Sequence, residues 1–168
     1  MPKLIENLEA NLIREARKQL EEKGYAAVTI RSVAAGCGVG VGTVYNYFPS
    51  KDALLASYML EDWNRKLECI RQTAAESDHP EPVLRCLHQQ LCLYIREHQA
   101  VFRDETASMG FAGSFSRYHA LLRSQLAQPL ERFCESSFAA EFMVESLLTW
   151  TVAGKDFSEI YGMIRKLI

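Results

Sequence analysis

Residues 29–51 hold the side chains best suited to chemistry with a partner. They are Thr29, Arg31 and Ser32 in one short stretch, and Val41, Gly42, Thr43, Tyr45, Asn46, Tyr47 and Lys51 in the next. The partner these groups suit is duplex DNA. Val41 and Thr43 offer methyl groups to the thymine C5-methyl, Asn46 can pair with an adenine edge, and Arg31 can reach a guanine edge. The hydroxyls of Tyr45 and Tyr47 can reach phosphates. Gly40 and Gly42 carry no side chains, so the backbone there can approach the floor of a major groove about 12 Å wide. Lys51 follows Pro49-Ser50 at the start of a helix, where free N–H groups and the helix dipole favour an anion. Thr29 and Ser32 open the preceding helix in the same way.

These residues need helices to hold them. Leu4, Leu8, Leu12, Ile13, Ala16 and Leu20 recur every three to four residues and predict a first helix, stopped at about residue 23 by Gly24. Thr29 is a good N-cap for a short helix over 30–36. Glycine then occupies every second position from Gly36 to Gly42. A strand is poorly served by glycine and no partner strand is visible, so a tight turn and a short helix over 40–47 fit better. Pro49 ends that helix, and Ser50 caps a long one from Lys51 to about residue 76. Two short helices joined by a glycine-containing turn and braced by a longer one make a helix-turn-helix.

Ser77-Asp78-His79-Pro80-Glu81-Pro82 is the clearest break in the chain. Apolar stripes beyond it predict helices over about 83–98, 100–107, 116–136, 138–153 and 156–168, with a loop at 108–115 and a kink or break at Pro129. No strand pattern appears, so the class is all-α. Residues 1–50 are expected to be a three-helix DNA-binding domain and 51–168 a helical effector-binding and dimerisation domain.

The chain has 168 residues, with 48% hydrophobic and 24% charged residues, the balance of a globular protein with its own core. No apolar run approaches the ~20 residues of a membrane span, and the first residues lack the apolar stretch of a signal peptide. Five cysteines, an odd number with no Cys-x-x-Cys pair, suit a reducing cytoplasm. The net charge of −2 argues against indiscriminate coating of nucleic acid, yet residues 1–52 are slightly basic and the remainder acidic.

The runs Thr29-Ile30-Arg31-Ser32-Val33-Ala34, Gly38-Val39 and Gly42-Thr43-Val44-Tyr45-Asn46-Tyr47-Phe48-Pro49-Ser50-Lys51-Asp52-Ala53-Leu54-Leu55 resemble the DNA-binding signature of the tetracycline-repressor (TetR) family. The likeness covers about residues 3–57. It implies a one-component regulator, usually a repressor: a homodimer that binds a palindromic double-stranded DNA operator and releases it when a small molecule enters the C-terminal domain. Thr43, Tyr45, Tyr47, Lys51 and Arg31 match the family's DNA-contact positions. The sequence departs from the family at Gly40, where a serine or threonine cap is usual, and at Val41, where a lysine or other polar residue is common.

Beyond residue 57 the likeness is one of architecture only. Trp63, Tyr94, Phe102, Phe111 and Tyr118 come from different predicted elements. Most such aromatics are core, but residues of this kind also line a pocket between helices. They are the candidates for a small apolar or aromatic effector. The last two helices are apolar over more surface than one covered side needs, so Phe142, Leu147, Trp150, Ile160 and Ile164 are the candidates for a dimer interface.

No catalytic set emerges: Gly-x-Ser-x-Gly, phosphate-loop and His-Glu-x-x-His motifs are absent, and Glu131 and Glu135 suit a wet helix face. No cofactor is expected. Cys86, His88, Cys92 and His98 crowd one predicted helix, yet they lack the paired spacing of a tetrahedral metal site, and small buried thiols are the better account. A DNA-binding module without a ligand, or a helical adaptor that binds protein, are the other classes. The polar set at Thr43, Tyr45, Tyr47 and Lys51 speaks against the adaptor, since a scaffold has no need of it.

Overall fold

A computed structural model of the chain describes residues 7–104 and 122–166. The regular structure among these residues is all helical, with no strand. They form two compact units, one built from 7–62 and 98–104, the other from Trp63–Glu97 and 122–166. None of the described helices is long and apolar enough to cross a membrane.

The first unit opens with α1 (Leu8–Lys23), which buries Leu12, Ile13, Ala16 and Leu20 along one side. Its 3.6-residue repeat places these apolar side chains on a single stripe. A short 3-10 turn (Tyr25–Ala27) leads to α2 (Ile30–Cys37). Thr29 and Ser32 close a reciprocal capping box at the start of α2: each side-chain oxygen accepts from the other's backbone N–H, both at 3.0 Å. Two donors otherwise left free at the helix start are thereby satisfied.

The turn that follows is made by Gly38, at φ 67 and ψ 31. Its N–H donates to the Ala35 carbonyl at 3.1 Å, and the Val39 N–H reaches back to Ala34 at 3.0 Å. A Cβ would disfavour that left-handed backbone, although nothing within 4 Å would obstruct it. Gly38→Ala should therefore cost about 1–2 kcal/mol by backbone strain alone. The test is denaturant unfolding: the midpoint should fall while the slope stays unchanged.

Helix α3 (Val41–Tyr45) is capped by Gly40 without a side-chain bond. It ends two residues short of the expected 47, so Asn46 and Tyr47 lie in the turn before Pro49. Val33, Val44, Phe48, Leu54, Leu55 and Tyr58 close the core against α1. The long helix α4 (Lys51–Glu76) starts with Ser50 Oγ accepting from the Ala53 N–H at 3.1 Å. Its first three turns, through Asp62, belong to this unit, so the packing runs beyond residue 50. The four-residue helix α6 (Gln99–Phe102) also packs here through Val101. Beside it His98 is fully buried, with Nε2 2.9 Å from Asp62 Oδ2 and its ring edge-on to Tyr58.

The second unit holds the rest of α4, with Trp63, Leu67, Ile70 and Ala74 inward. Helix α5 (Pro80–Glu97) begins at the first of the two prolines of the break. Residues 122–127 (α7) are helical and pass into a 3-10 segment, Gln128–Phe133. The change falls at Pro129, which has no N–H to give and crowds the carbonyl four residues back. Helices α8 (Ser137–Val152) and α9 (Phe157–Ile164) complete the unit. Gly154, at φ 78, makes the turn between them, and Asp156 and Glu159 form a second capping box. Ala140, Met143, Val144, Leu147 and Leu148 of α8 pack into the core with Val83, Leu84, Leu87 and Leu91 of α5.

Candidate nucleic-acid interface

The candidate DNA-contact residues separate into two groups. Thr29, Arg31, Gly42, Tyr45, Asn46 and Tyr47 are exposed, with Tyr45 at 54% and Tyr47 at 46% of full accessibility. Tyrosine usually buries most of its ring, so two exposed phenols within three residues are a surface with spare binding capacity. Phe48, the next aromatic, is buried in the core and fixes the chain beneath them. Val44 does the same from the opposite face of α3. Nothing lies within 4 Å of a Cβ placed on Gly42, so the backbone of α3 is bare on that side.

The second group is partly engaged within the protein. Ser32 Oγ donates to Gln19 Oε1 at 2.6 Å, and Gln19 Nε2 donates to the Ser32 carbonyl at 3.1 Å. This pair locks α2 onto α1. Val41 is half-buried and packs against the unit's core. Thr43 is half-buried on the first turn of α3. Lys51 Nζ donates to the Tyr25 carbonyl at 3.2 Å and sits 3.8 Å from the centre of the Tyr25 ring. Its charge stays near the N-terminus of α4, but its position is set by Tyr25.

Tyr25 and Gln19 are residues that sequence reasoning missed. The Tyr25 hydroxyl donates to Asp52 Oδ1, across the foot of α4. Burial, then the hydrogen bond and charge of Asp52, raise the Tyr25 phenol above its ordinary range, so it remains the donor. A tyrosine one residue after a helix-ending glycine carries no periodic signal of such a role. Gly36 has a reason of the same kind. A Cβ there would lie 2.3 Å from Glu15 Oε1, the acceptor for Gln19 Nε2.

The other expected sites are placed as follows. Trp63 and Tyr94 meet edge-to-face, with ring centroids 5.3 Å apart, in the second unit. Trp63 is buried, and its indole N–H has no hydrogen-bond partner among the described residues. Phe102 is exposed and belongs to the first unit. Phe111 and Tyr118 lie outside the described residues. Of the five residues expected at a dimer face, Phe142 and Trp150 are exposed. Leu147, Ile160 and Ile164 are not surface residues: they are buried in the core of their own chain. The correction follows from helix geometry. On α8, positions 140, 143, 144, 147, 148 and 151 share the inward face, while Phe138, Phe142, Thr149, Trp150 and Val152 lie on the outward one. The helix is apolar around most of its girth, so its composition does not reveal which face is covered.

Among the described residues, no group of three or more His, Cys, Asp or Glu side chains converges as a metal site. His98 lies beyond the end of α5, with its Nε2 on Asp62.

The fold and the exposed α3 surface define a helix-turn-helix protein. Residues 12–58 match the family model of bacterial regulatory proteins of the tetR family. The likeness to that family is carried by this segment, the helix-turn-helix and the start of α4. Its curated relatives include YuxN of Bacillus subtilis, an uncharacterised helix-turn-helix-type transcriptional regulator. The two are 31% identical over 88 residues, 52% of this chain and 30% of YuxN. EthR of Mycolicibacterium smegmatis, a transcriptional regulator, is 26% identical over 66% of this chain and 51% of its own. The matches thus span about a third to a half of the length of these curated relatives. Among solved structures, the repressor FadR of Thermus thermophilus in complex with lauroyl-CoA superposes with a TM-score of 0.66. That match has 23% identity and covers 95% of this chain and 92% of FadR, which is a likeness of fold.

Proposed function

We propose that the protein is a transcriptional regulator, acting as a repressor in the cytoplasm. It binds a palindromic double-stranded DNA operator as a homodimer, and a small apolar or aromatic effector releases it. In this reading residues 1–50 read DNA, residues 51–168 bind effector and dimerise, and α4 is shared. The observation that carries it is the exposed edge of α3. There Gly42 leaves the backbone bare, Tyr45 projects from a helix whose other face is locked into the core, and Asn46 and Tyr47 stand exposed in the turn that follows. One such short helix reads few bases, and two of them about 34–36 Å apart read a palindrome.

Thr29, Ser32 and Lys51 then act at phosphates from positions fixed by their internal bonds, with Arg31 at a base edge and Val41 and Thr43 giving methyl contact near the groove. Dimerisation falls to the outward face of α8, where Phe138, Phe142, Trp150 and Val152 are exposed, with Met163 of α9. Apolar side chains concentrated to this degree mark an interaction surface. The Trp63–Tyr94 pair, whose buried indole N–H has no partner among the described residues, supports an effector that has an apolar body and one acceptor. The lauroyl-CoA held by FadR, a protein of the same fold, is in keeping with an apolar effector. Such a ligand works by displacing α4, which begins at Lys51 and carries Trp63.

Selection of bound duplexes from a random-sequence pool tests the reading. A palindrome whose affinity falls steeply with salt is expected. Failure to enrich any sequence overturns it. Gly42→Leu is the sharper probe. A Cβ there meets nothing within 4 Å and leucine favours a helix over glycine, so the folded chain should be as stable as the parent or more so. Operator affinity should nevertheless fall roughly tenfold to a hundredfold, the scale of one lost base contact. Fluorescence anisotropy with labelled operator measures it.

A further inference from the structure

Two thiols face each other across α4 and α5, with their sulfurs 3.9 Å apart: Cys69, which is exposed, and Cys86, which is half-buried. Both line an open groove of about 720 Å³ that also includes Thr73, Arg85 and Gln90. Their surroundings differ from those of the other cysteines. Cys37 and Cys134 donate to backbone carbonyls, of Asn11 and Leu130, as inert thiols do. Cys92 sits against His88, on its own helix. At the pair, by contrast, polar side chains border both sulfurs. The Gln90 amide donates to Cys69 Sγ at 3.6 Å, and the Thr73 hydroxyl, which donates to the Cys69 carbonyl at 2.9 Å, lies 3.4 Å from Cys86 Sγ.

We propose that Cys69 and Cys86 form a reversible oxidative modification site, in which a hydroperoxide converts the two thiols to a disulfide tying α4 to α5. Cys69 attacks first, because it is the exposed thiol. Its thiolate displaces hydroxide from hydrogen peroxide and becomes a sulfenic acid. The Cys86 sulfur then attacks Cys69 Sγ, the S–O bond breaks, and water leaves with the Cys86 proton. Two electrons pass from the sulfurs to the peroxide, and the balance is two thiols and one peroxide to one disulfide and two waters. Burial, the largest influence on Cys86, raises its thiol above the ordinary range, which suits it to the second role. The sulfurs must close by nearly 2 Å to reach the ~2.05 Å of a disulfide. Side-chain rotation or movement of α4 on α5 supplies this, so the bond fixes α4 relative to α5. A low-molecular-weight thiol reverses it by exchange.

The test uses the full chain, reduced and then exposed to about one equivalent of hydrogen peroxide. Intact mass should fall by about 2 Da, and digestion should yield a Cys69–Cys86 linked peptide that dithiothreitol removes. A variant with Cys37, Cys92 and Cys134 replaced by serine should oxidise at the parent rate. In Cys86→Ser the sulfenic acid should persist at Cys69 and react with dimedone, whereas Cys69→Ser should give at least tenfold less label. First oxidation at Cys92, or oxidation of Cys69 and Cys86 without a link between them, would overturn the assignment. None of these readouts depends on DNA binding, so the site stands or falls separately from the proposed regulatory role.

Discussion

Trp150→Glu combined with Phe142→Glu yields a folded monomer that no longer holds the operator. Both side chains are exposed in the single chain, so the new carboxylates stay solvated and the fold loses little. In the dimer they place four like charges in an apolar contact, which costs several kcal/mol through desolvation and repulsion. Loss of the second half-site then removes the gain of binding two sites at once, on the order of 10²–10⁴ in affinity. Light scattering should report half the parent mass, and anisotropy should report operator binding weakened by about that factor. A variant that stays dimeric places the interface on another face. Retained affinity in a true monomer removes the need for a palindrome.

Leu147→Glu, on the opposite face of the same helix, has a different outcome: the second unit unfolds. Leu147 is fully buried among apolar neighbours from α5 and α8. A carboxyl there loses the leucine's apolar burial, about 2–3 kcal/mol, and meets a further penalty of several kcal/mol if it ionises. The sum is comparable with the whole stability of a domain this size, about 5–15 kcal/mol. Circular dichroism should show lost helix at neutral pH. The milder Leu147→Ala should remain folded with about 2–5 kcal/mol less stability. The two faces of α8 are thus separable by experiment: glutamate at 150 leaves a folded chain, and glutamate at 147 does not.

Much of the DNA-binding unit is legible in the sequence because its determinants are local. The stripe of α1, the Thr29 cap, the glycine turn, Pro49 and the Ser50 cap each act over one or two turns of chain. Each constrains the backbone whatever packs nearby. Thr29 and Ser32 illustrate the limit of that reading. Their spacing permits a capping box, but the Gln19 side chain that joins them to α1 lies thirteen residues away from Ser32. Lys51 is similar: its type and place suit a phosphate, and only the fold reveals that Tyr25 holds it.

The amino-acid sequence by itself determined an all-α chain, the order of its helices, and a helix-turn-helix with tyrosines at its edge. Periodicity, caps and breakers suffice for these because they are properties of short segments. Tertiary structure decided which side of a mostly apolar helix is core. It turned Leu147, Ile160 and Ile164 inward and left Phe138, Phe142 and Trp150 outside. It also decided that Cys69 meets Cys86, and that His98 meets Asp62. Contacts between distant segments depend on how helices stack, and hydrophobic pattern leaves several stackings open when apolar residues cover most of a helix.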